Sequence, residues 1–509
     1  MKTTKLTIDP MSIPSMDQII YNSGMVRKSL LILFVILLLG FVLRIYKISE
    51  LPLYGDELTM VYDSYSILKT GKDQTGTVFP LTFKMGAGRP AGYIYFSIPF
   101  VAMFGPGVWG ERSLSLVSGL GIIVLMYFLG KKLFNEKVGL IASCLASISL
   151  WDIYLSRAGF ETHFALFLAL LGIVAYLYKK YILMSISWGL AIFTYPTFKL
   201  TLPLMFLILL WFGGFKKTIK SKLFIASLVV FTVFGGLAID ETLKGRSEER
   251  FLRINVFSDS NLQEMVVQKI NEERTLSTLP PTLKPIFYNK PLEYSRILFE
   301  NYMENISIKF LYLRGDGNPR HNPGEWGMLY LVELPILFAG IAYLWIKRKR
   351  DLTFLIAWVL LVPLAGMFVT GAHGLRNSLM IPPFILISAY ALSNLPKVLV
   401  RLSVTLIIIQ LIFVLAAVYF FAPGKFTGFW STAARDASLK AIENKDKYKT
   451  VILSTKIDNI EYAYPVYAKL DPNLVIAQYG KYPKRYDNVV ITDDVESIGV
   501  DKNTLVLEK

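Results

Sequence analysis

The sequence predicts an α-helical polytopic membrane protein with about eleven transmembrane helices, further interfacial helices, and a small extracytoplasmic α/β domain at its C-terminal end. Three observations carry that prediction. Hydrophobic residues make up 53% of the 509-residue chain, its mean hydropathy is +0.46, and apolar runs of membrane-spanning character recur up to Phe421. The Lys and Arg residues behind the formal charge of +16 fall in short clusters between those runs. That is the distribution of a topology signal, not of one solvated face for nucleic acid. After Phe421 the pattern changes to short apolar runs alternating with helical stretches, which reads as a soluble α/β unit. A single cysteine, Cys144, lies inside an apolar run, so no disulfide framework and no thiolate metal cluster is expected.

Residues 1–28 read as a cytoplasmic tail without a cleavable signal pattern. Arg27 and Lys28 before the first apolar run place the N-terminus inside. A first outer loop, 47–111, follows. It opens with L-P-L-Y-G-D-E-L (51–58) and continues as an amphipathic helix marked by Leu58, Val61, Tyr65 and Leu68. The segment 91–104 has Pro90 before it, Pro99 within it and a Gly-Pro-Gly exit, which favours a re-entrant or interfacial segment over a span. Leaving it out of the spans puts Lys131-Lys132, Lys179-Lys180, Lys216-Lys217 and the 347–350 cluster all on the cytoplasmic face.

The spans are then 29–46, 112–130, 138–155, 162–178, 181–195, 198–213, 223–239, 327–346, 352–370, 378–394 and 402–421. A transmembrane domain, 29–421, results, with a long outer loop at 240–325. That loop has helix-like pieces near 259–274 and 291–304 and a turn cluster at 315–324. The extracytoplasmic domain, 422–509, is expected to hold helices near 431–443 and 459–468, with strands at 450–454, 474–478, 488–492 and 504–508. It has no Gly-rich phosphate loop and no nucleophile motif, and a supporting or acceptor-binding role is expected of it.

This topology gathers charged residues from distant loops on one outer surface. Asp56 and Glu57 read either as ordinary first-turn carboxylates beside a helix dipole or as catalytic groups, one of them buried enough to act as a base. Arg157 and Glu161 are spaced for an i,i+4 ion pair, and Arg157 equally suits a phosphate. Arg89 stands on the same face. His373 and Arg376 read as a phosphate clamp or as boundary anchors. His163 is expected to be packed or hydrogen-bonded between helices, and His321, in a Gly/Pro turn, to be at the surface. Histidine spacing gives no zinc motif.

The order of G-D-E after the first span, R-P-A-G-Y-I-Y-F (89–96), F-G-P-G-V-W-G-E-R-S-L-S (104–115), G-K-K-L-F (130–134) and S-R-A-G-F-E (156–161) resembles the GT-C class of membrane glycosyltransferases. Within it, the likeness is to the protein O-mannosyltransferase and lipid A aminoarabinose transferase-like superfamily. It covers residues 29–200, and more loosely H-G-L-R-N-S-L-M-I-P-P-F at 373–384. The resemblance implies a polyprenyl-phosphate-linked sugar donor and a protein, lipid or glycan acceptor. It implies Asp56 as catalytic base, Glu57 as its neighbour in acceptor binding or metal contact, and Glu161 as a second acidic partner, where relatives often have Asp. Arg89, Arg157, His373 and Arg376 are then candidates to hold the donor phosphate. A divalent cation, Mg²⁺ or Mn²⁺, is compatible with Asp56, Glu57 and Glu161, and no other cofactor is implied.

That chemistry suits a membrane boundary. The carrier's tail lies in lipid and its reactive carbon at the water interface, and phosphate leaves readily, so a base and cationic donors suffice for a direct inverting displacement. The expected location is a cell membrane, multi-pass, with the site and the C-terminal domain outside. A polysaccharide ligase or polymerase shares the lipid-linked donor and the long outer loop. A transporter or flippase would build its site near the bilayer midplane from broken, repeated helices.

Overall fold

The computed structural model describes residues 16–244 and 254–508. Most of the tail expected at 1–28, and the start of the long outer loop at 245–253, lie outside them. Helix α1 (Met16–Ile45) presents Leu31, Phe34 and Val35 outward and is followed by α2 (Gly55–Thr70). The C-cap of α2 is Gly71, at φ 70°, a left-handed residue that glycine adopts without strain. A two-stranded ribbon, β1 (Thr82–Phe83) and β2 (Arg89–Pro90), leads into α3 (Gly92–Phe104). The segment expected to be re-entrant or interfacial is a 13-residue apolar helix with Pro99 inside it, packed on α2 and on the next helix.

Helices α4 (Val108–Leu133), α5 (Glu136–Ile148), α6 (Leu150–Ser156), α7 (Glu161–Leu177) and α8 (Tyr181–Ile192) form the centre of the bundle. The expected span 138–155 is broken. The chain bends by 57° between α5 and α6, where the Ser149 hydroxyl accepts from the Asp152 amide and starts a new helix. Helices α9 (Phe198–Gly213) and α10 (Lys222–Leu243) follow, then two amphipathic helices of the long loop, α11 (Ser260–Leu276) and α12 (Lys290–Asn305). The bundle is completed by α13 (Glu333–Lys347), α14 (Lys349–Leu361), α15 (Ile381–Asn394) and α16 (Lys397–Ala416).

Among the described residues four helices are long and apolar enough to cross a membrane, or five if α5 and α6 count as one. The spans expected at 162–178, 181–195, 198–213 and 378–394 fall on shorter apolar helices.

A buried ion cluster ties the bundle together. Asp152 accepts from Arg44 and faces His163 Nε2 at 2.9 Å, while His163 Nδ1 lies 3.1 Å from the Ser115 carbonyl, joining α1, α4, α6 and α7. His163 is therefore the interhelical hydrogen-bonding histidine the sequence suggests.

The C-terminal unit starts with α17 (Thr432–Asn444) and β3 (Thr450–Ser454), then α18 (Ile460–Tyr467) and α19 (Pro472–Ala477). It ends with β4 (Lys484–Tyr486), β5 (Val489–Thr492) and β6 (Thr504–Leu507), in the sheet order β4-β5-β3-β6. Strand β3 pairs in parallel with β5 and β6, and β4 is an antiparallel edge. The run 474–478, read from sequence as a strand, belongs to helix α19, and 484–486 supplies the strand instead.

Candidate active site

Glu57 is the corner post of the first outer loop. Arg112, at the start of α4, grips it with two bonds of 2.7 Å, from Nε to Oε1 and from Nη2 to Oε2. The Gly159 amide adds a bond to Oε1 at 2.7 Å and the Tyr54 amide one to Oε2 at 3.2 Å. The remaining Arg112 donors go to the carbonyls of Ile48, Leu51 and Pro52. Both side chains are buried. A Cβ at 159 would lie 2.4 Å from Glu111 Oε1, so a side chain there would force Glu111 to move. Glu57, expected at the catalytic centre or on a metal, is instead locked in a structural ion pair, and it does not line the cavity described next.

Asp56, one residue earlier, points the other way. Its side chain is 39% exposed, and its Oδ1 accepts from Arg89 Nη2 at 2.7 Å. Arg89 is fully buried and also pairs through Nε with Glu161 Oε1 at 2.9 Å, while its Nη1 donates to the Thr59 hydroxyl at 2.8 Å. Burial works against the Arg89 charge, but Asp56 and then Glu161 outweigh it and raise the guanidinium further into its charged range. Arg89 therefore spends its charge on two carboxylates brought from α2 and α7, and it stands between the groups that the sequence offers to a metal. Glu161 pairs with Arg89 rather than with Arg157.

Asp56, Arg89 and Glu161 form one wall of a cavity of about 190 Å³. Arg320, His321, His373 and Arg376 line it too, with Tyr54 and Tyr195. Pro90, Pro196, Ile254, Ala365, Val369 and Leu375 give it an apolar side. Arg157 is not among the lining residues. Its guanidinium donates to the carbonyls of Arg44, Tyr46 and Lys47 and lies 4.8 Å over the Tyr419 ring, so it closes the chain that leaves α1 instead of facing the cavity.

His321 is buried, contrary to its expected surface position. Its Nδ1 lies 2.8 Å from Asp316 Oδ2, its ring meets Phe160 edge-on, and the His373 ring lies tilted beside it with ring centroids 4.6 Å apart. Burial raises the Asp316 carboxyl, but the hydrogen bond and charge of His321 and the charge of His373 hold it down at about 2.

Comparison with known proteins gives a partial family match and several structural neighbours. Residues 89–237 match the family model described as dolichyl-phosphate-mannose-protein mannosyltransferase. The structure of ArnT from Cupriavidus metallidurans in the apo state overlays with a TM-score of 0.51 at 14% identity, over 94% of this chain and 90% of that one. The fold is that of the GT-C glycosyltransferases. The same ArnT bound to undecaprenyl phosphate overlays on the GT-C core here with a TM-score of 0.50 at 14% identity, over 92% of this chain and 90% of the other. The apo oligosaccharyltransferase of Archaeoglobus fulgidus also gives 0.50 at 14% identity, over 86% of this chain. This chain spans 64% of that longer protein. Comparison with the curated proteins brought no match.

Within this GT-C fold, Arg320, Tyr54 and Asn318 are polar cavity residues that sequence reasoning passed over, and His321 is one that it placed at the surface. Three of them come from the G-D-G-N-P-R-H-N-P-G turn cluster. Their signal was an unusual density of polar side chains in a loop too long for a simple connector.

Proposed function

We propose that the protein is a membrane glycosyltransferase that moves a sugar from a polyprenyl-phosphate carrier to an extracytoplasmic acceptor. One observation carries the reading: a half-exposed carboxylate, Asp56, shares a single cavity with Arg320 and Arg376, one side of which is apolar. A carrier phosphate needs cationic donors, its tail needs apolar surface, and an acceptor hydroxyl needs a base. The family model and the ArnT likeness, whose ligand is undecaprenyl phosphate, support the same class.

In this reading Asp56 takes the acceptor proton and Arg376 and Arg320 hold the departing phosphate. The pairing with Arg89 orients the Asp56 carboxylate at the cavity. Leaving-group phosphate lowers the demand on it. Arg89 and Glu161 are positioning residues. The Arg89 guanidinium already supplies the positive charge between Asp56 and Glu161, so a divalent ion would have to displace it there, and the proposed mechanism places none at that point.

The test is transfer from a polyprenyl-phosphate sugar in nanodiscs. Asp56→Asn should lower kcat by about 10²–10⁴-fold, the span of general-base catalysis, with the melting temperature unchanged. A folded variant that keeps full transfer would remove Asp56 from the mechanism.

A further inference from the structure

The group formed by Asp316, His321 and His373 is used by nothing proposed above. Its ligand atoms all lie within 4.8 Å of one another, and they come from two loops over fifty residues apart. A plain Asp–His hydrogen bond accounts for His321, 2.8 Å from Asp316 Oδ2, but not for His373, whose Nδ1 stands 3.9 Å from the same oxygen. That distance is too long for a hydrogen bond. Together the two separations bracket the roughly 3.4 Å between two ligands that each sit 2.0–2.1 Å from a tetrahedral ion. His373 Nδ1 accepts from the Leu375 amide at 3.3 Å, so it is the unprotonated nitrogen of that ring, and a cation would take its lone pair in place of this long bond.

The carboxylate is fixed from behind, as metal ligands are. The Gly374 amide donates to Asp316 Oδ2 at 2.6 Å and the Asn318 amide to Oδ1 at 2.8 Å. Both imidazoles line the 190 Å³ cavity with Asp56 and Arg376, while Asp316 and His373 also border a larger outer cleft. Two histidines and one carboxylate with space in front form a donor set that suits a borderline ion better than Mg²⁺.

We propose that Asp316, His321 and His373 bind a zinc-type divalent cation through three protein ligands, with an open coordination position toward the cavity that contains Asp56. This open position takes a phosphate oxygen, a step that rests on the transferase reading. The cation also pins the 315–324 turn to the 373–376 turn.

The experiment measures metal directly on the full chain in detergent, without donor or turnover. After chelation and dialysis against micromolar zinc, plasma mass spectrometry should find about one zinc per chain, and Co²⁺ loading should give the visible absorption of a four- or five-coordinate nitrogen-ligated ion. His321→Gln, His373→Gln and Asp316→Asn, which keeps one acceptor oxygen for the backbone amides, should each weaken zinc binding about 10–100-fold, while Asp56→Asn retains it. No zinc above background in the folded wild type overturns the site. So does zinc lost in Asp56→Asn but kept in the histidine variants.

Inorganic phosphate and farnesyl phosphate are then added to the Co²⁺ form. A spectral shift with either supports the open position, a shift with farnesyl phosphate alone assigns it to the lipid carrier, and no shift with both removes it. Zinc binding in a protein without transferase activity would sink the functional reading and leave the metal site standing. Activity that depends on Asp56 in a protein that binds no zinc would do the reverse.

Discussion

Arg89 shows how much of the site depends on one buried charge. It holds Asp56 at the cavity and Glu161 behind it, and both contacts are below 3 Å. Arg89→Ala should leave Glu161 as a buried unpaired carboxylate, costing about 3–5 kcal/mol, with the half-exposed Asp56 adding little because water screens it. Thermal denaturation would read that loss, and transfer assays should show kcat down at least tenfold. A variant with unchanged stability and rate would mean that neither carboxylate is positioned by Arg89. Glu57→Gln should separate from Asp56→Asn in kind, losing stability through the Arg112 pair, read as a melting temperature lowered by several degrees. The acidic pair was legible in the sequence as a site; which member faces the cavity was not. Adjacent residues on a helix point about 100° apart, and the choice is made by Arg89 and Arg112, which arrive more than thirty residues later. The same reason hid Arg157, whose spacing from Glu161 says nothing of the three carbonyls that it caps.

Helix α2 carries Asp56 and is held on two sides. One side enters the bundle, and the other places Leu58, Val61 and Tyr62 in a second core with Ile460, Tyr464 and Val466 of the C-terminal unit, where Tyr62 Oη donates to the Leu470 carbonyl at 3.0 Å. That unit therefore buttresses the site-bearing helix. Leu58→Ala, at a fully buried position, should cost about 2–5 kcal/mol and lower activity indirectly, a loss that cooling restores if only positioning is at stake.

Within α2, burial pushes the Asp63 carboxyl up to about 7, against the bond from the Gln74 amide at 3.0 Å. A folded pKa above the unfolded one, about 3.9, means that stability is fully present below pH 4 and declines as pH rises toward 7. Asp63→Asn, which keeps the acceptor and cannot ionise, should therefore gain stability over wild type as pH goes from 5 to 8, by about 1–4 kcal/mol. Melting curves at the two pH values decide this; equal curves would place Asp63 outside the linkage. Element type was readable where pattern and capping agreed and failed where they conflicted. The 474–478 run looks apolar and strand-like, but Asp471 caps it through the Asn473 amide and Pro472 sits at its first turn, both helix-start signals. Strand β4, K-R-Y, has no apolar run because it is a short edge.

The molecule as a whole has two unlike ends. At one, basic side chains cap helix termini: Arg348 donates to the Leu133 carbonyl, Arg350 to that of Phe212, and Lys137 to that of Ser393. At the other lie the cavity and its loops. By the positive-inside rule the first end is predicted to be cytoplasmic, and the apolar flanks of α1, α10 and α16, with Leu31, Val229 and Ile412 turned outward, suit a lipid-facing belt between the two ends. Hydropathy marked the long apolar helices α1, α4, α10 and α16, because lipid constrains every exposed backbone group and side chain at once. It could not give helix lengths, since α7 is enclosed by neighbours, and helix ends set by packing need not match the bilayer. The arrangement predicts the outcome of cysteine labelling in a Cys144→Ser background, in intact cells with a membrane-impermeant maleimide. Lys502→Cys, exposed in the C-terminal unit, should react from outside, and Lys180→Cys, exposed at the basic end, only after the membrane is opened. Labelling of both from the same side would place the cavity and the basic clusters on one face. The proposed site would then have no separation from the cytoplasm, and an extracytoplasmic acceptor could not reach it.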